Sequence, residues 1–524
     1  MNDIKPYFCG NCFSLGCWRK SVNHWLYFFT RNRILDLIVV FIIIALFVAI
    51  IKHWGNKPSD SYGKAHWATD KEIAKASFFS KSGVILGRHE TGSLLRWEPE
   101  GHILTVAGTR TGKTSALVIP TLLSYPGNTV VIDVKGENYA VTAKSRIEMG
   151  HKVYRLDPFR VVEDFGINGT DIFSTFNPLD IIDENYEDAF DQATSIAESL
   201  VVIKSGEKDP HWNDKAKSLL RGLILYTVFE APPEKRHLIY VRDILTSSPD
   251  EWENIKEKMM ESSYTNIANT GREISAFNTT EWNSIISTAL RHTDFLESPK
   301  IQDILYYSSF NIKELSSGKT TIYLIIPPSK VKDYFRLLRL WVNCALAERM
   351  SFKGKTECPC LFLLDEMAQI KTMDSLYDAI SVSASYGITI WCILQNIGQI
   401  KSLYPDHKWE AFMDNTGIKH FFGIQHNDTA KYISDMAGQK TIITTQKGSS
   451  ISYSDSWFFG RRSNSENKVE IGRKLIRPEE VMSMNSNEMI IFSLDCKFPI
   501  RCNKIAYYKD KEFKGKHDPN PYHG

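Results

Sequence analysis

The stretch from Val106 to Thr114, Val-Ala-Gly-Thr-Arg-Thr-Gly-Lys-Thr, constrains the fold of this chain more than any other feature. It follows a short apolar run, His102–Val106, and precedes a helix-like run that begins at Ser115. A strand, a glycine-containing loop and a helix in this order are the setting in which backbone N–H groups surround phosphate oxygens. The stretch therefore predicts a nucleotide-binding α/β fold.

The residues of this loop have distinct predicted tasks. Gly108 and Gly112 lack a Cβ atom and let the backbone approach a phosphate closely. Lys113 would reach the β- and γ-phosphates of ATP, and the Thr114 hydroxyl would ligate Mg²⁺. The residues between the two glycines, which complete the predicted phosphate contacts, are Thr109, Arg110 and Thr111. Ala107 stands where the strict pattern has glycine, and an ordinary strand-to-helix turn is the alternative interpretation.

A second motif follows a predicted buried strand much later in the chain. The run Cys360-Leu-Phe-Leu-Leu-Asp365-Glu366 is apolar throughout and ends in two adjacent carboxylates. Strands buried on both faces of a parallel sheet have such runs, and ligands bind at their carboxyl ends. We expect Asp365 to hold Mg²⁺ through water and Glu366 to orient and activate the attacking water. A solvated loop or a helix N-cap is the alternative, and together with the upstream loop the pair predicts an ATPase.

Composition narrows the class of protein. The chain has 524 residues, which is too long for one simple core, so two or more domains are expected. Its 63 basic and 61 acidic residues give a net charge of only +2. That balance excludes a polybasic nucleic-acid binder, so any DNA would be contacted by local patches or a pore. Six of the nine cysteines lie between Cys344 and Cys502, and we interpret them as reduced thiols of a cytosolic core.

Residues 1–33 form an N-terminal segment with a cluster of potential metal ligands. Cys9, Cys12 and Cys17 precede His24 in this segment. Three thiolates and an imidazole could bind zinc, although their spacing matches no standard zinc pattern. Free thiols or acylated juxtamembrane cysteines are the alternatives.

Residues 34–51 form the one run of membrane length, ILDLIVVFIIIALFVAII. Such a helix spans roughly 27 Å, close to the ~30 Å hydrocarbon core of a bilayer. Trp25, Tyr27 and Trp54 flank the run as an interfacial aromatic belt would. We expect an N-terminal transmembrane helix, with a cleaved signal peptide or a buried core helix as alternatives. Basic residues lie on both sides, so the requirement for cytosolic ATP, and not charge, places the C-terminal side in the cytosol.

Strand and helix signals divide the next part of the chain. Residues 52–100 are expected to be a polar linker and the entry to the core, and residues 101–180 the first part of that core. Apolar runs that end in polar residues, at Thr129–Lys135 and Lys152–Asp157, predict a parallel α/β sheet. Between residues 181 and 310 helical signals dominate. They predict an all-α insertion, with a helical layer of the core itself as the alternative.

Residues 311–510 are expected to complete the core, and residues 511–524 to be a polar tail. Gln395 ends a strand-like run, where it could sense the γ-phosphate or the attacking water, and a satisfied polar cap is the alternative. The stretch from Lys447 to Asn467 is rich in serine and predicts a mobile loop. Its two arginines could follow a phosphate backbone, although a solvated loop is the commoner explanation.

The order of these motifs resembles that of a known family. The chain contains, in order, AGTRTGKT, VVIDVKGEN, a helical insertion, LFLLDEMAQI and ILQNIGQI. The similarity continues through HWNDKAKSLLRGLILY, YLIIPPSKVKDYFRLLRLW and RPEEVMSMNSNEMIIF, and it covers roughly residues 80–510. In this combination the chain resembles the TraG-like coupling proteins of type IV secretion systems, the conjugative-transfer ATPases.

This resemblance implies a RecA-like P-loop motor with an inserted all-α domain, anchored in the bacterial inner membrane with the motor in the cytoplasm. Such proteins are similar to FtsK-type hexameric DNA pumps. They bring single-stranded DNA with its bound relaxase, or protein effectors, to the channel components of the secretion system. By motif, Lys113 and Thr114 bind phosphate and Mg²⁺, Asp365 supports Mg²⁺, Glu366 activates water and Gln395 couples hydrolysis to movement. The helical insertion would recognise the substrate.

Three functions remain open at this point. The chain is an ATP-driven translocase of relaxase-bound single-stranded DNA, a receptor for protein effectors that uses ATP mainly for assembly, or a membrane-tethered pump for double-stranded DNA. Hydrolysis that DNA stimulates would separate the first from the second. Ring ATPases often complete a site with an arginine of the neighbouring subunit, and Arg336, Arg339 and Arg349 are candidates. Structural ion pairs are the commoner explanation for such arginines.

Overall fold

The computed structural model describes residues 33–54, 59–163, 173–182, 186–203, 210–352, 358–452 and 461–522. The proposed zinc ligands Cys9, Cys12, Cys17 and His24 lie outside the described residues, so a zinc site there stays a prediction.

The chain divides into two compact units. Unit 1 comprises Met1–Lys64 and Gln439–Arg473. Unit 2 comprises Ala65–Gly438 and Lys474–Gly524, and it contains every residue that the sequence assigns to nucleotide chemistry.

Thirteen strands are present in the described part of the chain. They are β1 (Val84–Arg88), β2 (Leu94–Trp97), β3 (His102–Ala107), β4 (Asn128–Ile132), β5 (Lys152–Leu156), β6 (Thr320–Leu324), β7 (Cys360–Leu364), β8 (Ile388–Leu394), β9 (Thr416–Phe422), β10 (Gln439–Ser452), β11 (Arg461–Lys474), β12 (Glu488–Ser493) and β13 (Ile500–Asn503). Eleven of them form one sheet with the order β2-β1-β13-β12-β9-β3-β8-β7-β4-β6-β5. The other two, β10 and β11, pair with each other.

The described residues also contain eighteen α-helices. They are α1 (Arg33–Trp54), α2 (Asp70–Lys75), α3 (Ile119–Leu122), α4 (Glu137–Glu148), α5 (Tyr186–Leu200), α6 (His211–Phe229), α7 (Leu238–Leu245), α8 (Pro249–Glu261), α9 (Thr265–Ala276), α10 (Thr279–Thr293), α11 (Pro299–Leu305), α12 (Glu314–Ser317), α13 (Pro328–Ser351), α14 (Asp374–Val382), α15 (Ile397–Leu403), α16 (Lys408–Asp414), α17 (Asn427–Ala437) and α18 (Pro478–Met482). A π-helical turn, Thr114–Val118, leads into α3.

The seven strands from β9 to β5 run parallel, which confirms the α/β prediction. Their side chains are buried on both faces of the sheet. In β7, for example, Leu361 and Leu363 enter one apolar core, and Phe362 and Leu364 enter the other. Because both faces of the sheet are covered, apolar and polar residues do not alternate along the strand, and its sequence is a continuous apolar run.

Residues 84–97, within the predicted linker and entry to the core over residues 52–100, form two strands of the large sheet. Strands β1 and β2 pair antiparallel with each other, and β1 joins the large sheet through β13. Val84, Leu86 and Leu95 are fully buried in the core. The two strands have five and four residues, which is too short for an alternating pattern to be recognised among polar neighbours.

The region between residues 181 and 310 is helical, as expected, and its described residues form no strand. Helix α5 packs against α13 of the core, where the Asn343 amide donates to the Ser195 carbonyl at 2.9 Å. Apolar side chains of the region, such as Ala193, belong to the same cluster as Leu338 of α13. The all-α character is confirmed, whereas a boundary that makes this region a separate domain stays a prediction.

Strands β10 and β11 correct the prediction of a mobile loop from Lys447 to Asn467, because both ends of that stretch lie in paired strands. The β-branched run from Thr441 to Thr445 favours a strand and extends it into the serine-rich part. Pairing holds this ribbon together, and the Thr444 hydroxyl donates to the Val469 carbonyl at 3.1 Å.

Helix α1 is 22 residues long and covers the predicted membrane run. Its apolar side chains from Leu37 to Val48 are mostly exposed. Within the residues that the structure describes, no helix has both the length and the apolarity to cross a membrane.

The tail also differs from the prediction of a polar appendage. Residues 511–522 fold back onto unit 2, where Phe513 is fully buried. The Asp518 N–H donates to the Val141 carbonyl of α4 at 3.1 Å. One aromatic anchor in a charged stretch gives almost no sequence signal, which is why the contact was not foreseen.

The six cysteines predicted to be reduced thiols are free, and all but Cys358 are buried, whereas their location in the cytosol stays a prediction. Six free cysteines are present in the described residues, namely Cys344, Cys358, Cys360, Cys392, Cys496 and Cys502. Five of them are buried, and burial raises the pKa of Cys360 and Cys392 to about 12, so these thiols stay protonated and unreactive.

Candidate functional site

Four neighbouring strands, β3, β8, β7 and β4, bring the predicted site residues together. The parallel register pairs Val106 with Leu394, Leu364 with Cys392, and Ile132 with Leu364. The carboxyl ends of these strands therefore meet at one edge of the sheet, which is where ligands of such sheets bind. The phosphate-loop sequence, Gln395, the Asp365–Glu366 pair and Asp133 leave the sheet at this edge.

The predicted phosphate loop is a compact turn between β3 and the π-helical turn. Gly112 has a φ of +82° and Arg110 a φ of +59°, so the backbone enters the left-handed region twice within three residues. The Thr111 hydroxyl closes the turn by donating to the Gly108 carbonyl at 2.7 Å. Successive residues of this conformation aim their N–H groups to one side, as an anion-binding nest requires.

Glycine is required in this loop because another backbone lies against it. A Cβ atom on Gly108 would lie 2.5 Å from the carbonyl oxygen of Gly423, at the end of β9. In return, a Cβ on Gly423, which has a φ of +59°, would lie 2.2 Å from the Thr111 methyl group. The loop is thus held against the neighbouring strand by a contact that admits no side chain on either glycine.

Lys113 lies between the loop and the carboxylate predicted to activate water. Its ammonium donates to the Ala107 carbonyl at 3.3 Å and lies 3.8 Å from Glu366 Oε1. Glu366 has a φ of +63° and a ψ of +46°, which is a strained conformation for a residue with a Cβ atom. Backbone strain of this kind is found mainly at functional sites, where it orients a side chain. Here it orients the Glu366 carboxylate toward the phosphate loop.

Gln395 connects the two motifs. Its side-chain amide donates to the Glu366 carboxylate at 3.2 and 3.3 Å, and its carbonyl oxygen accepts a hydrogen bond from the Thr109 hydroxyl at 3.2 Å. The backbone N–H of Gln395 donates to Gln399 Oε1 at 2.8 Å. A polar cap of strand β8 would not need partners on two other strands, so the arrangement favours the sensing role over a simple cap.

Asp365 lies at the floor of the site and is buried. The pKa of its carboxyl is raised to about 6, chiefly by burial and then by the Glu366 carboxylate, against the opposing effect of the Lys113 ammonium. Its Oδ1 atom has no hydrogen-bond partner among the described residues. A buried carboxylate oxygen without a partner is costly, and a cation or its water shell would satisfy it.

Asp133 is a site residue that the sequence analysis missed. It follows β4, and its carboxylate accepts a hydrogen bond from the N–H of Tyr139 in the first turn of α4 at 2.8 Å. Its pKa is raised to about 7, chiefly by burial and also by nearby carboxylates, against the opposing effect of backbone N–H donors from Tyr139 and Asn138. The signal was present, since the run before it, Thr129–Ile132, ends in a carboxylate just as the run before Asp365 does.

Lys504 is a second residue that was missed, because nothing in its local sequence marks it. It follows β13, and its ammonium donates to the Thr111 carbonyl at 2.7 Å. Burial lowers the pKa of this amine. The antiparallel part of the sheet thereby stabilises the phosphate loop from behind.

A cavity of about 610 Å³ opens between these groups. Besides residues 109–115, its walls are formed by Asp133, Val134, Lys135, Glu137, Asn138, Asp365 and Glu366. All predicted cofactor and metal residues therefore border one space or, as Gly108 and Gln395 do, support its walls.

This donor set fits ATP with Mg²⁺. The glycine-limited approach at Gly108 provides a backbone cradle, and Lys113 provides a cation beside it. The Thr114 hydroxyl and the unpartnered Asp365 Oδ1 are oxygen ligands, which Mg²⁺ prefers. A cluster of sulfur or imidazole ligands, which would indicate a softer metal, is not part of this cavity wall.

The three arginine candidates are engaged inside their own chain, which corrects their predicted role in a neighbouring site. Arg349 is fully buried and donates to the Leu315 carbonyl at 2.7 Å. Arg339 is buried and donates to the carbonyls of Ser199, Ile370 and Thr372. Each guanidinium satisfies helix and loop ends that would otherwise be unpaired, so neither can leave without a large loss of stability.

Arg336 is half-buried and is engaged in the same way. Its Nε donates to the Leu200 carbonyl at 3.1 Å, and its Nη2 lies 3.2 Å from His292 Nδ1. The sequence could not show this, because a helix presents arginines equally well to solvent and to the carboxyl end of a packed helix.

A phosphate loop on one parallel strand, with paired carboxylates and a glutamine on the next strands, defines a RecA-like P-loop ATPase fold. Residues 66–522 match the model of a protein family described as "Type IV secretory system Conjugative DNA transfer", and the chain belongs to this family.

Curated relatives agree with this assignment. VirD4 of Rhizobium radiobacter is 28% identical over 470 residues, which cover 86% of this chain and 65% of VirD4. A conjugal transfer protein TraG of Escherichia coli is 27% identical over 472 residues, which cover 81% of this chain and 71% of TraG. The chain thus spans about two thirds of the length of these relatives.

A solved structure has the same fold at much lower identity. The plasmid coupling protein TrwB, in complex with the non-hydrolysable ATP analogue ADPNP, superposes with a TM-score of 0.62 and is 13% identical. The match covers 86% of this chain and 96% of the TrwB chain. It confirms the architecture of the core.

Proposed function

We propose that this chain is the ATPase coupling protein of a type IV secretion or conjugation system. It recruits single-stranded DNA with a bound relaxase, or protein effectors, and drives their transfer by hydrolysing ATP. Family membership supports the assignment to a type IV secretion system. The arrangement of the site supports the hydrolysis of ATP.

One observation carries the ATPase proposal, namely the continuous set of contacts from Thr109 through Gln395 and Glu366 to Lys113. It joins the phosphate loop to the carboxylate that would act on water. A site that only bound nucleotide would need the loop and the lysine, but it would not need a carboxylate held in a strained backbone conformation by a glutamine on the next strand.

Each residue has a role in this scheme. The backbone of residues 108–112 and the Lys113 ammonium hold the phosphates, and the Thr114 hydroxyl and Asp365 hold Mg²⁺. Glu366 orients the attacking water and accepts its proton, and Gln395 fixes the Glu366 carboxylate and reports the state of the loop. Bound Mg²⁺ supplies neutralisation of the charge that develops on the phosphate oxygens.

The transport side of the proposal concerns the rest of the chain. The helical region, residues 181–310, recognises the substrate. It packs against α13 of the core, and a conformational change at the carboxyl ends of the strands is transmitted to it through these packed side chains. Channel components of the secretion system receive the substrate. The protein acts as a homo-hexamer, as the ring organisation of similar motors implies.

The apolar run of residues 34–51 is proposed to anchor the protein in the bacterial inner membrane, with the motor in the cytoplasm. The exposed apolar side chains from Leu37 to Val48 support this placement. A helix that is apolar on every face exposes a large hydrophobic surface to water unless lipid or protein buries it.

The test is the rate of ATP hydrolysis by the full-length chain in detergent, with and without single-stranded DNA. Glu366→Gln is the control. We expect hydrolysis that DNA stimulates and that Glu366→Gln abolishes. A Glu366→Gln protein as active as the wild type would contradict the proposed site. Glu366-dependent hydrolysis that is indifferent to DNA would contradict DNA transfer and favour protein effectors.

A further inference from the structure

The last described residues of the chain, 518–522, lie across the entrance of α4 beside the cavity. We call residues 518–522 the C-terminal strap. The strap starts from a folded base, because Phe513 is fully buried and the His517 ring packs edge-on against Tyr507 with centroids 4.9 Å apart. It is therefore attached to unit 2 before it reaches the cavity.

Two polar contacts fix the middle of the strap. The Asn520 amide donates to Glu137 Oε1 at 2.7 Å and to the Tyr507 hydroxyl at 3.1 Å. Glu137 opens α4 and is one of the residues that line the cavity. One amide thus connects the tail, the core and the cavity wall.

The end of the strap reaches Lys135. The Tyr522 hydroxyl donates to the Lys135 carbonyl at 2.8 Å, and the Lys135 ammonium lies 5.7 Å from the centroid of the Tyr522 ring. The Tyr522 N–H donates to Asn520 Oδ1 at 2.9 Å, so the two contacts of the strap are coupled. Tyr522 therefore contacts both the backbone and the side chain of Lys135.

The distribution of charge around the cavity indicates a role for Lys135 in binding phosphate. Four carboxylates line the cavity, from Asp133, Glu137, Asp365 and Glu366. Lys113 and Arg110 supply positive charge on the loop side, and Lys135 is the cation of the wall segment after β4, which also contains the carboxylates of Asp133 and Glu137. A polyanion in this space needs positive charge on both walls.

We propose that Lys135 is a further phosphate-binding residue of the ATPase site, and that Asn520 and Tyr522 of the C-terminal strap position it. Because Lys135 follows β4, which pairs with the strand β7 that precedes Asp365 and Glu366, it adds a second cation, besides Lys113, for the terminal phosphate. The strap makes binding selective for the triphosphate over the diphosphate. This inference rests on the proposed function of the site.

The test is the affinity of the full-length chain, with Mg²⁺, for ADP and for a non-hydrolysable ATP analogue. We expect Lys135→Met to weaken binding of the analogue by about tenfold, as the loss of a charged hydrogen bond does, and to leave ADP binding within about twofold. Lys144→Met removes an exposed lysine of the following helix, α4; it is the matched control and should change neither affinity.

The strap is tested by Tyr522→Ala, with Tyr522→Phe to keep the ring and remove the hydroxyl. Tyr522→Ala should weaken binding of the analogue alone, by about threefold to fivefold, and Tyr522→Phe by less. In the double variant with Lys135→Met the losses should not add, because both act through one ammonium. Tyr508→Ala, an exposed tyrosine in the same part of the chain, is the control.

Three outcomes decide between the possibilities. Selective, non-additive losses support the strap. Equal losses for ADP and the analogue, or losses that add, overturn it, because they indicate a general effect on folding. A wild-type chain that binds neither nucleotide overturns the proposed function itself, so the two failures are distinguishable.

Discussion

The side-chain amide of Gln395 donates to the carboxylate of Glu366 at 3.2 Å, although the two residues end different strands. Because the same glutamine accepts a hydrogen bond from Thr109, the carboxylate cannot turn without changing a contact of the phosphate loop. The relationship links the state of the loop to the position of the group that acts on water.

Substitution of Glu366 should separate binding from chemistry. Glu366→Gln keeps the size of the side chain and removes the base, so we expect kcat to fall by about 10²- to 10⁴-fold while nucleotide affinity stays within about threefold. Gln395→Ala should lower kcat less, because it only releases the carboxylate. Single-turnover hydrolysis and equilibrium nucleotide binding measure the two effects, and a parallel loss of affinity in Glu366→Gln would argue for a structural role.

Gly423→Ala should displace the phosphate loop, although Gly423 is not part of the loop. The new methyl group would lie 2.2 Å from the Thr111 side chain, so the loop has to move, and we expect nucleotide affinity to fall at least tenfold. The overpacking should also cost about 1–3 kcal/mol of the free energy of unfolding. Calorimetry and nucleotide titration would measure both.

Gly150→Ala is the matched control for that substitution. Gly150 also has a positive φ, of +86°, but nothing lies within 4 Å of the position that a Cβ atom would take there. It should therefore show the backbone strain, roughly 1–2 kcal/mol, without a loss of nucleotide affinity. Equal losses of affinity in the two variants would contradict the contact between β9 and the loop.

Lys504→Met should weaken nucleotide binding although Lys504 is not a wall of the cavity. The variant loses the hydrogen bond to the Thr111 carbonyl, which is worth about 1 kcal/mol, and we expect about fivefold weaker binding of ATP. Lys514→Met removes an exposed lysine of the same C-terminal region and should be silent. Unchanged affinity in Lys504→Met would show that the loop does not depend on this support.

His292 should make the stability of unit 2 depend on pH. Burial is the largest cause that lowers its pKa, Arg336, Arg291 and Arg339 act in the same direction, and together they bring the pKa to about 3. The folded chain keeps the ring neutral, with Nε2–H donating to Asn213 Oδ1 at 2.8 Å. The unfolded chain takes up a proton below a pH of about 6.5, so the stability that depends on neutral His292 is complete above that pH and is lost as the pH falls.

The measurement is chemical denaturation of the wild type and His292→Gln at pH 7 and pH 5. The wild type should lose about 2 kcal/mol through His292 over this interval, whereas the variant has no such titration. The stability difference between the two proteins should therefore shrink by about that amount at pH 5. A constant difference would contradict a neutral, buried His292.

Sequence patterns were sufficient for the chemistry of the site. Lys113, Thr114, Asp365 and Glu366 follow apolar strands in the order that a nucleotide-binding sheet requires, and the structure places them around one cavity. The patterns failed where function depends on partners distant in the chain. Lys504 and the strap follow no motif, and the arginines of α13 satisfy carbonyls that the sequence does not connect to them.

The sequence by itself determined the parallel core and the edge at which its candidate catalytic groups meet, because continuous apolar runs require burial on both faces and place the following polar residues at one edge. Only the tertiary structure decided which groups support that edge. Gly423 against the loop, Lys504 behind it, Asn520 and Tyr522 beside Lys135, and the burial of Arg339 and Arg349 all result from contacts across long chain separations. Such contacts depend on how the strands are ordered in the sheet, and local pattern does not encode that order.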